Sequence, residues 1–126
     1  MPKKIFVIDD DTLALQMIAS ALKSEGYDVF PFSDFGMLLE EARHNPPDLV
    51  LTDVVMPDIS GFDVCREIKK TFRPNPPPVI IMTGKLDAIE PILARRMGAD
   101  DFVVKTSDMA VLLQAVRKIL QGNESA

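Results

Sequence analysis

Two adjacent aspartates, Asp9 and Asp10, follow the apolar run Ile5-Phe6-Val7-Ile8. A third, Asp53, ends the run Leu49-Val50-Leu51-Thr52. Thr83 follows Val79-Ile80-Ile81-Met82, and Lys105 follows Phe102-Val103-Val104. If these runs lie side by side in one sheet, their ends bring three carboxylates, a hydroxyl and an ammonium to one spot. Ionised carboxylates at such range repel strongly. A hard divalent cation relieves the repulsion, held by one or two carboxylates with waters retained, which suits Mg2+. A phosphoryl group can then approach a pocket that would otherwise reject it. One carboxylate can act as nucleophile and form an acyl phosphate. Asp53 is the best candidate, at the tip of a central strand, with Asp9 and Asp10 holding the metal. Lys105 offers a point charge to a phosphoryl oxygen, and Thr83 a hydroxyl that can sense the phosphoryl group. Metal, ammonium and hydroxyl together would stabilise the charge on a transferring group.

Strand-like and helix-like segments alternate along the chain, the pattern of βαβ units around a parallel sheet. The apolar runs, rich in Val and Ile, read as strands buried on both faces. In open parallel sheets the ligand crevice lies outside the carboxyl ends of the strands. The first helix is predicted to start near Asp11 or Thr12, to present Ala14, Met17, Ile18, Ala21 and Leu22, and to stop at Gly26. Val29 to Phe32 is a short second strand, and Pro31 assigns it to a sheet edge because proline donates no ladder hydrogen bond. Ser33 or Asp34 caps a second helix bearing Leu38, Leu39 and Ala42, which Asn45-Pro46-Pro47 breaks. A third helix carries Val64, Cys65, Ile68 and Phe72. Arg73-Pro74-Asn75-Pro76-Pro77-Pro78 reads as a stiff, extended connector. A fourth helix is expected from near Asp87 to Gly98, with Pro91 in its first turn. Thr106 or Ser107 caps a last helix through Leu112, Ala115, Val116, Ile119 and Leu120. Gly122 ends it.

The chain has 126 residues, 47% of them hydrophobic, enough for one domain with a real core. A domain over 1–122 and a polar tail over 123–126 are expected. One cysteine, Cys65, excludes an intrachain disulfide and fits a reducing compartment. One histidine, His44, gives no zinc-like cluster. The four apolar residues after Met1-Pro2-Lys3-Lys4 are too few for a signal peptide, and no run approaches a membrane span, so a cytoplasmic location is expected. A net charge of −5 argues against nucleic acid or an anionic membrane as a direct partner.

Together these segments resemble a two-component response-regulator receiver domain. The motifs are Val7-Ile8-Asp9-Asp10-Asp11, Leu51-Thr52-Asp53-Val54-Val55-Met56-Pro57-Asp58-Ile59-Ser60-Gly61, Met82-Thr83-Gly84 and Gly98-Ala99-Asp100-Asp101-Phe102-Val103-Val104-Lys105. They cover the chain almost end to end in the family's order and spacing. The resemblance implies a doubly wound (βα)5 domain, a flavodoxin-like α/β fold with strand order 2-1-3-4-5 and helices on both faces. It implies that Asp53 accepts a phosphoryl group from a histidine kinase or histidine phosphotransfer protein. Asp9, Asp10, Asp53 and the Val55 backbone carbonyl would ligate Mg2+. Thr83 and Lys105 match the family's hydroxyl and lysine, and Phe102 its aromatic switch. Family members catalyse their own phosphorylation, and many hydrolyse their own acyl phosphate. The signal would reach a surface made by the fourth helix, fifth strand and fifth helix, read by a downstream protein or an output domain outside this chain. Two positions depart from the pattern. Thr106 stands where proline usually follows the lysine. A cis bond there costs about 3–4 kcal/mol, so either that strain is kept or the loop is trans and Lys105 is held differently. Phe102 stands where tyrosine is common and has no hydroxyl to bond in an outward state. Lys85 occupies a variable position where acyl-phosphate lifetime is often tuned.

Simpler readings stand beside these. An isolated acidic triplet is usually a loop with a helix cap, and Asp11 is read as that cap. Thr83 alone would be a strand-end residue and Lys105 a solvated charge. Phe102 reads equally as core, His44 as surface and Cys65 as inert core. An aspartate-nucleophile phosphatase of the haloacid dehalogenase type would need Thr or Val where Leu13 stands, and room for a cap domain. A flavin carrier would need Ser, Thr and Gly after the first strand. A constitutive interaction module of the same fold has only Thr106 in its favour.

Overall fold

The computed structural model describes residues 2–84, 96, 98–105 and 109–124, the last three as backbone only. Five strands, β1 (Lys4–Ile8), β2 (Asp28–Phe32), β3 (Leu49–Asp53), β4 (Val79–Thr83) and β5 (Asp101–Val104), form one parallel sheet in the order β2-β1-β3-β4-β5. The described helices are α1 (Thr12–Ser24), α2 (Phe35–His44), α3 (Gly61–Thr71) and a C-terminal helix (Ala110–Glu124). The expected α/β architecture and strand order are both present. Most of the expected fourth helix including Pro91, with Lys85, the caps Thr106 and Ser107, and the Lys105–Thr106 bond, lies outside the described residues.

Alternation along the strands builds two cores. Ile5, Val7, Leu49, Leu51, Ile80, Met82 and Val103 face α1 and the C-terminal helix. Phe6, Ile8, Val50, Val79 and Ile81 face α2 and α3. Every residue of β3 and β4 is buried, which accounts for unbroken apolar runs instead of alternation with polar residues. β2 sits at the edge, where Pro31, in register with Val7, is exposed.

Local chemistry sets the helix ends. Asp11 caps α1, its carboxylate accepting from the Leu13 and Ala14 amides. The helix closes in a Schellman motif. The Gly26 amide donates to the Lys23 carbonyl and the Tyr27 amide to that of Leu22, with Gly26 at φ +93. Asp34, not Ser33, caps α2 through the Met37 amide, and Ser60 caps α3 through that of Asp63.

Three expectations need correction. The buried face of α1 is Leu15, Ile18, Ala19 and Leu22, while Met17 is 45% exposed and Ala14 and Ala21 only half-buried. The α3–β4 connector is not extended throughout. It opens with a turn in which Arg73–Pro74 is cis and the Asn75 amide donates to the Phe72 carbonyl. The C-terminal helix continues through Gly122 to Glu124, since one glycine lowers helix stability by only about 1 kcal/mol and removes no hydrogen bond.

Replacing Asp34 with alanine removes the α2 cap. It should lower the unfolding free energy by about 1 kcal/mol, read as a lower urea midpoint with unchanged slope.

Candidate functional site

The register of the parallel ladder carries the polar residues to one end of the sheet. Ile8 pairs with Thr52, Asp53 with Met82, and Thr83 with Val104. The residues just beyond these pairs therefore emerge together. The Asp9 amide still donates to the Phe32 carbonyl at 3.2 Å, so Asp9 remains part of the sheet and is fully buried, whereas Asp10 is exposed. The triplet thus divides its work. Asp9 turns inward, Asp10 faces the opening and Asp11 caps α1. The Asp11 amide also holds Asp9 Oδ1 at 3.0 Å.

Asp9, Asp10 and Asp53 each offer a carboxylate oxygen within 4.8 Å of the others. Lys105 Nζ reaches into the same group, donating to Asp9 Oδ2 at 2.6 Å and lying 3.2 Å from Asp53 Oδ1. Its backbone amide donates to the Thr83 carbonyl at 2.6 Å, which ties the end of β5 to the end of β4. Thr83 is itself buried. Phe102, in β5 opposite Ile81, is half-buried against the α2–α3 core. The geometry therefore gathers Asp9, Asp10, Asp53 and Lys105, joins Thr83 to them through its backbone carbonyl, and leaves Phe102 on the flank.

Burial and charge pull on the site in opposite senses. Burial pushes the Asp53 carboxyl above its ordinary value; the Lys105 charge opposes the rise and the Asp9 charge adds to it. Burial also works against the Lys105 ammonium. Its hydrogen bond to Asp9 and the charges of Asp53 and Asp9 outweigh that effect and hold Lys105 above its usual value. The oxygen-only donor set and its close spacing fit a hard cation such as Mg2+.

The β3–α3 loop is pinned beside Asp53. The Val54 amide donates to the Met82 carbonyl and the Gly61 amide to the Val54 carbonyl, both at 2.9 Å. A Cβ on Gly61 would lie 2.3 Å from the Asp53 carbonyl oxygen, so only glycine permits this approach. Val55 follows directly and is 68% exposed. Sequence reasoning carried Gly61 only as the last residue of a motif and missed its contact with the Asp53–Val54 peptide. It also missed Asp9 as the partner of Lys105. The buried hydroxyl of Thr52, which donates to the Asp53 carbonyl at 3.0 Å, went unnoticed as well.

The family model described as the response regulator receiver domain matches residues 5–117. The chain belongs to that family. It is 35% identical over 124 residues to the DNA-binding response regulator MtrA of Mycolicibacterium smegmatis, covering 98% of this chain and 53% of that protein. The chain thus spans about half the length of the curated relatives it matches. The beryllofluoride-activated DrrB receiver domain superposes with a TM-score of 0.82 at 33% identity, over 96% of this chain and 99% of that one. The response regulator TrrA of Thermotoga maritima, in complex with Mg2+ and beryllofluoride, gives a TM-score of 0.82 at 28% identity over 93% and 98% of the two chains. A receiver match of this extent displaces the phosphatase and flavin-carrier readings. No helix among the described residues is long and apolar enough to cross a membrane.

Two outcomes follow from the site's packing. Gly61→Ala should lower stability by about 1–3 kcal/mol and weaken Mg2+ binding, because the Asp53–Val54 peptide must move; thermal denaturation and calorimetric titration read the two effects. In cation-free buffer Asp53→Asn should unfold at higher denaturant than wild type at neutral pH. A raised folded-state pKa means the native protein holds its proton more tightly than the unfolded chain, so the Asp53 contribution is most favourable below the ordinary carboxyl value of 3.8 and is lost as pH rises. The advantage of the variant should therefore shrink as pH falls toward that value. A gap that widens on acidification would contradict the assignment.

Proposed function

We propose that this receiver domain accepts a phosphoryl group on an Asp53 carboxylate oxygen, delivered by the phosphohistidine of a histidine kinase or histidine phosphotransfer protein. The observation that carries the reading is the reach of Lys105 Nζ, which touches both Asp9 and Asp53 at the mouth of the acidic group. An isolated surface lysine has no reason to be held there.

The Asp53 oxygen attacks phosphorus, an O–P bond forms, and the N–P bond of the donor breaks with its electron pair left on the imidazole nitrogen. The nucleophile must be ionised, and the Lys105 charge favours that form against the pull of burial. Asp9, Asp10 and Asp53, with the Val55 carbonyl as a further ligand, would hold Mg2+, which when bound supplies charge neutralisation between carboxylates and phosphoryl oxygens. Lys105 is placed to follow a phosphoryl oxygen on Asp53 with a small movement of its ammonium away from Asp9. The Thr83 hydroxyl gives a second donor on the opposite strand. Hydrolysis by water at the same phosphorus would return Asp53 to its starting state, so the chain catalyses both its own phosphorylation and a slow loss of the group.

The backbone bond from Lys105 to Thr83 links any shift at the site to β5, which carries Phe102. The surface formed by the fourth helix, β5 and the C-terminal helix is then the signalling face, its equilibrium biased by phosphorylation. MtrA is a DNA-binding regulator about twice as long as this chain, which supports an output domain or separate downstream protein as the recipient. We assign the chain to the cytoplasm on the same reading.

Incubation with Mg2+ and acetyl phosphate should give a hydroxylamine-labile phosphoryl adduct in the wild-type protein. Asp53→Asn and chelation by EDTA should each abolish it. Undiminished labile labelling of the Asp53→Asn variant would remove Asp53 as the acceptor.

A further inference from the structure

The far end of the sheet carries charge of the opposite sign. A concavity of about 380 Å3 is lined by Arg66, Lys69, Lys70, Arg73, Arg96 and Gly98. Among the described residues, five cations line it and no carboxylate does, in a chain whose net charge is −5. Two of the five are neutralised from outside the hollow, Arg66 by Asp63 at 3.0 Å and Lys69 by Asp100 at 2.7 Å. Lys70, Arg73 and Arg96 have no ion pair among the described residues.

A purely structural account covers only part of this. Lys69 and Lys70 occupy the last turn of α3, where cations complement the helix dipole. Lys69 also donates to the Pro77 carbonyl and pairs with Asp100, whose Oδ2 accepts the Val79 amide at 2.8 Å. Those bonds fix one wall. They do not explain Arg73, which lies beyond the helix end, or Arg96, which comes from a separate segment. Gly98 adopts φ +93, and a Cβ there would lie 3.2 Å from Lys69 Cγ.

The lining selects the ligand. The volume is that of a small-molecule site at the lower end of the usual range, roughly 300–1,000 Å3. Arginine forks match phosphate oxygens bidentately, and lysines add point charges. Among the described residues that line it, no aromatic ring is present to stack a base, and no apolar side chain to anchor a peptide. We propose that this hollow binds a compact anion bearing two or more linked phosphates, recognised through the phosphate chain alone.

Calorimetric titration of the full chain with sodium tripolyphosphate tests this, in low salt with EDTA. Without a cation the carboxylates at Asp53 repel anions, so the signal reports the basic hollow. Tripolyphosphate should bind more tightly than orthophosphate, and weaken as salt is raised. Lys70→Ala combined with Arg73→Ala should reduce affinity about fivefold or more, and Arg96→Ala should act in the same direction. Asp53→Asn and Lys23→Ala, outside the hollow, should bind as wild type does. ATP should match tripolyphosphate if only the phosphate chain is read. The proposal is overturned by absence of binding at millimolar tripolyphosphate, by indifference to the three substitutions, or by much tighter ATP binding. Tighter binding of a DNA duplex or a polyglutamate peptide through the same residues would overturn it too, making the face a macromolecular dock. Because Lys70, Arg73 and Arg96 are exposed, circular dichroism should show all variants folded.

Discussion

A fully buried carboxylate cannot stand without a partner, and Asp9 has one in the Lys105 ammonium at 2.6 Å. Removing Lys105 would leave Asp9 a desolvated charge, the costly way to break such a pair. The same ammonium lies 3.2 Å from Asp53, so one cation from the end of β5 answers two acids from β1 and β3. This contact can exist only if β1 and β3 are neighbours and β4 brings β5 within reach. The strand order satisfies both conditions. Any slip of one residue in a ladder would turn these side chains to another face and separate them.

The rigidity behind the site comes from burial on both sides of the sheet. Side chains from β1, β3 and β4 enter both cores in alternation, so neither layer can shift without disturbing the other. At the strand ends, single backbone bonds extend that order. The Lys105 amide ties to Thr83, the Val54 amide to Met82, and the Asp9 amide to Phe32. Functional side chains therefore stand on residues whose peptide groups are already committed. That is the arrangement by which a small domain holds mutually repelling charges in place without a disulfide.

Much of this was legible in sequence because strand ends are marked by an abrupt change of residue type. Asp53, Thr83 and Lys105 each break an apolar run, and Pro31 betrayed the edge strand by its missing amide hydrogen. The face of α1 was only partly legible, with Ile18 and Leu22 correctly placed. Leu13, Ala14, Met17 and Ala21 form one apolar stripe and Leu15, Ile18, Ala19 and Leu22 another, so periodicity offered two faces and only packing chooses. Leu13 remains 66% exposed. Gly61 and Asp100 were opaque for a different reason. Each acts through a contact with a distant segment, the Asp53–Val54 peptide for one and Lys69 with Val79 for the other. The turn at Arg73–Pro74 was hidden because proline clusters permit extension and reversal alike.

α3 connects the two charged ends of the molecule. It runs antiparallel to the strands, so its first turn packs on the Asp53–Val54 peptide and its last turn reaches the start of β4. Its dipole places partial positive charge beside Asp53 and partial negative charge among Lys69 and Lys70. Both ends are matched by their surroundings. An anion on Asp53 gains from the first, and the lysines offset the second. Ser60 caps the helix, and Gly61 at its first position closely approaches the Asp53 carbonyl. A residue larger than glycine there would separate helix and strand, and with them the field that α3 delivers to Asp53. The sequence constraint at position 61 is thus steric in origin and electrostatic in consequence.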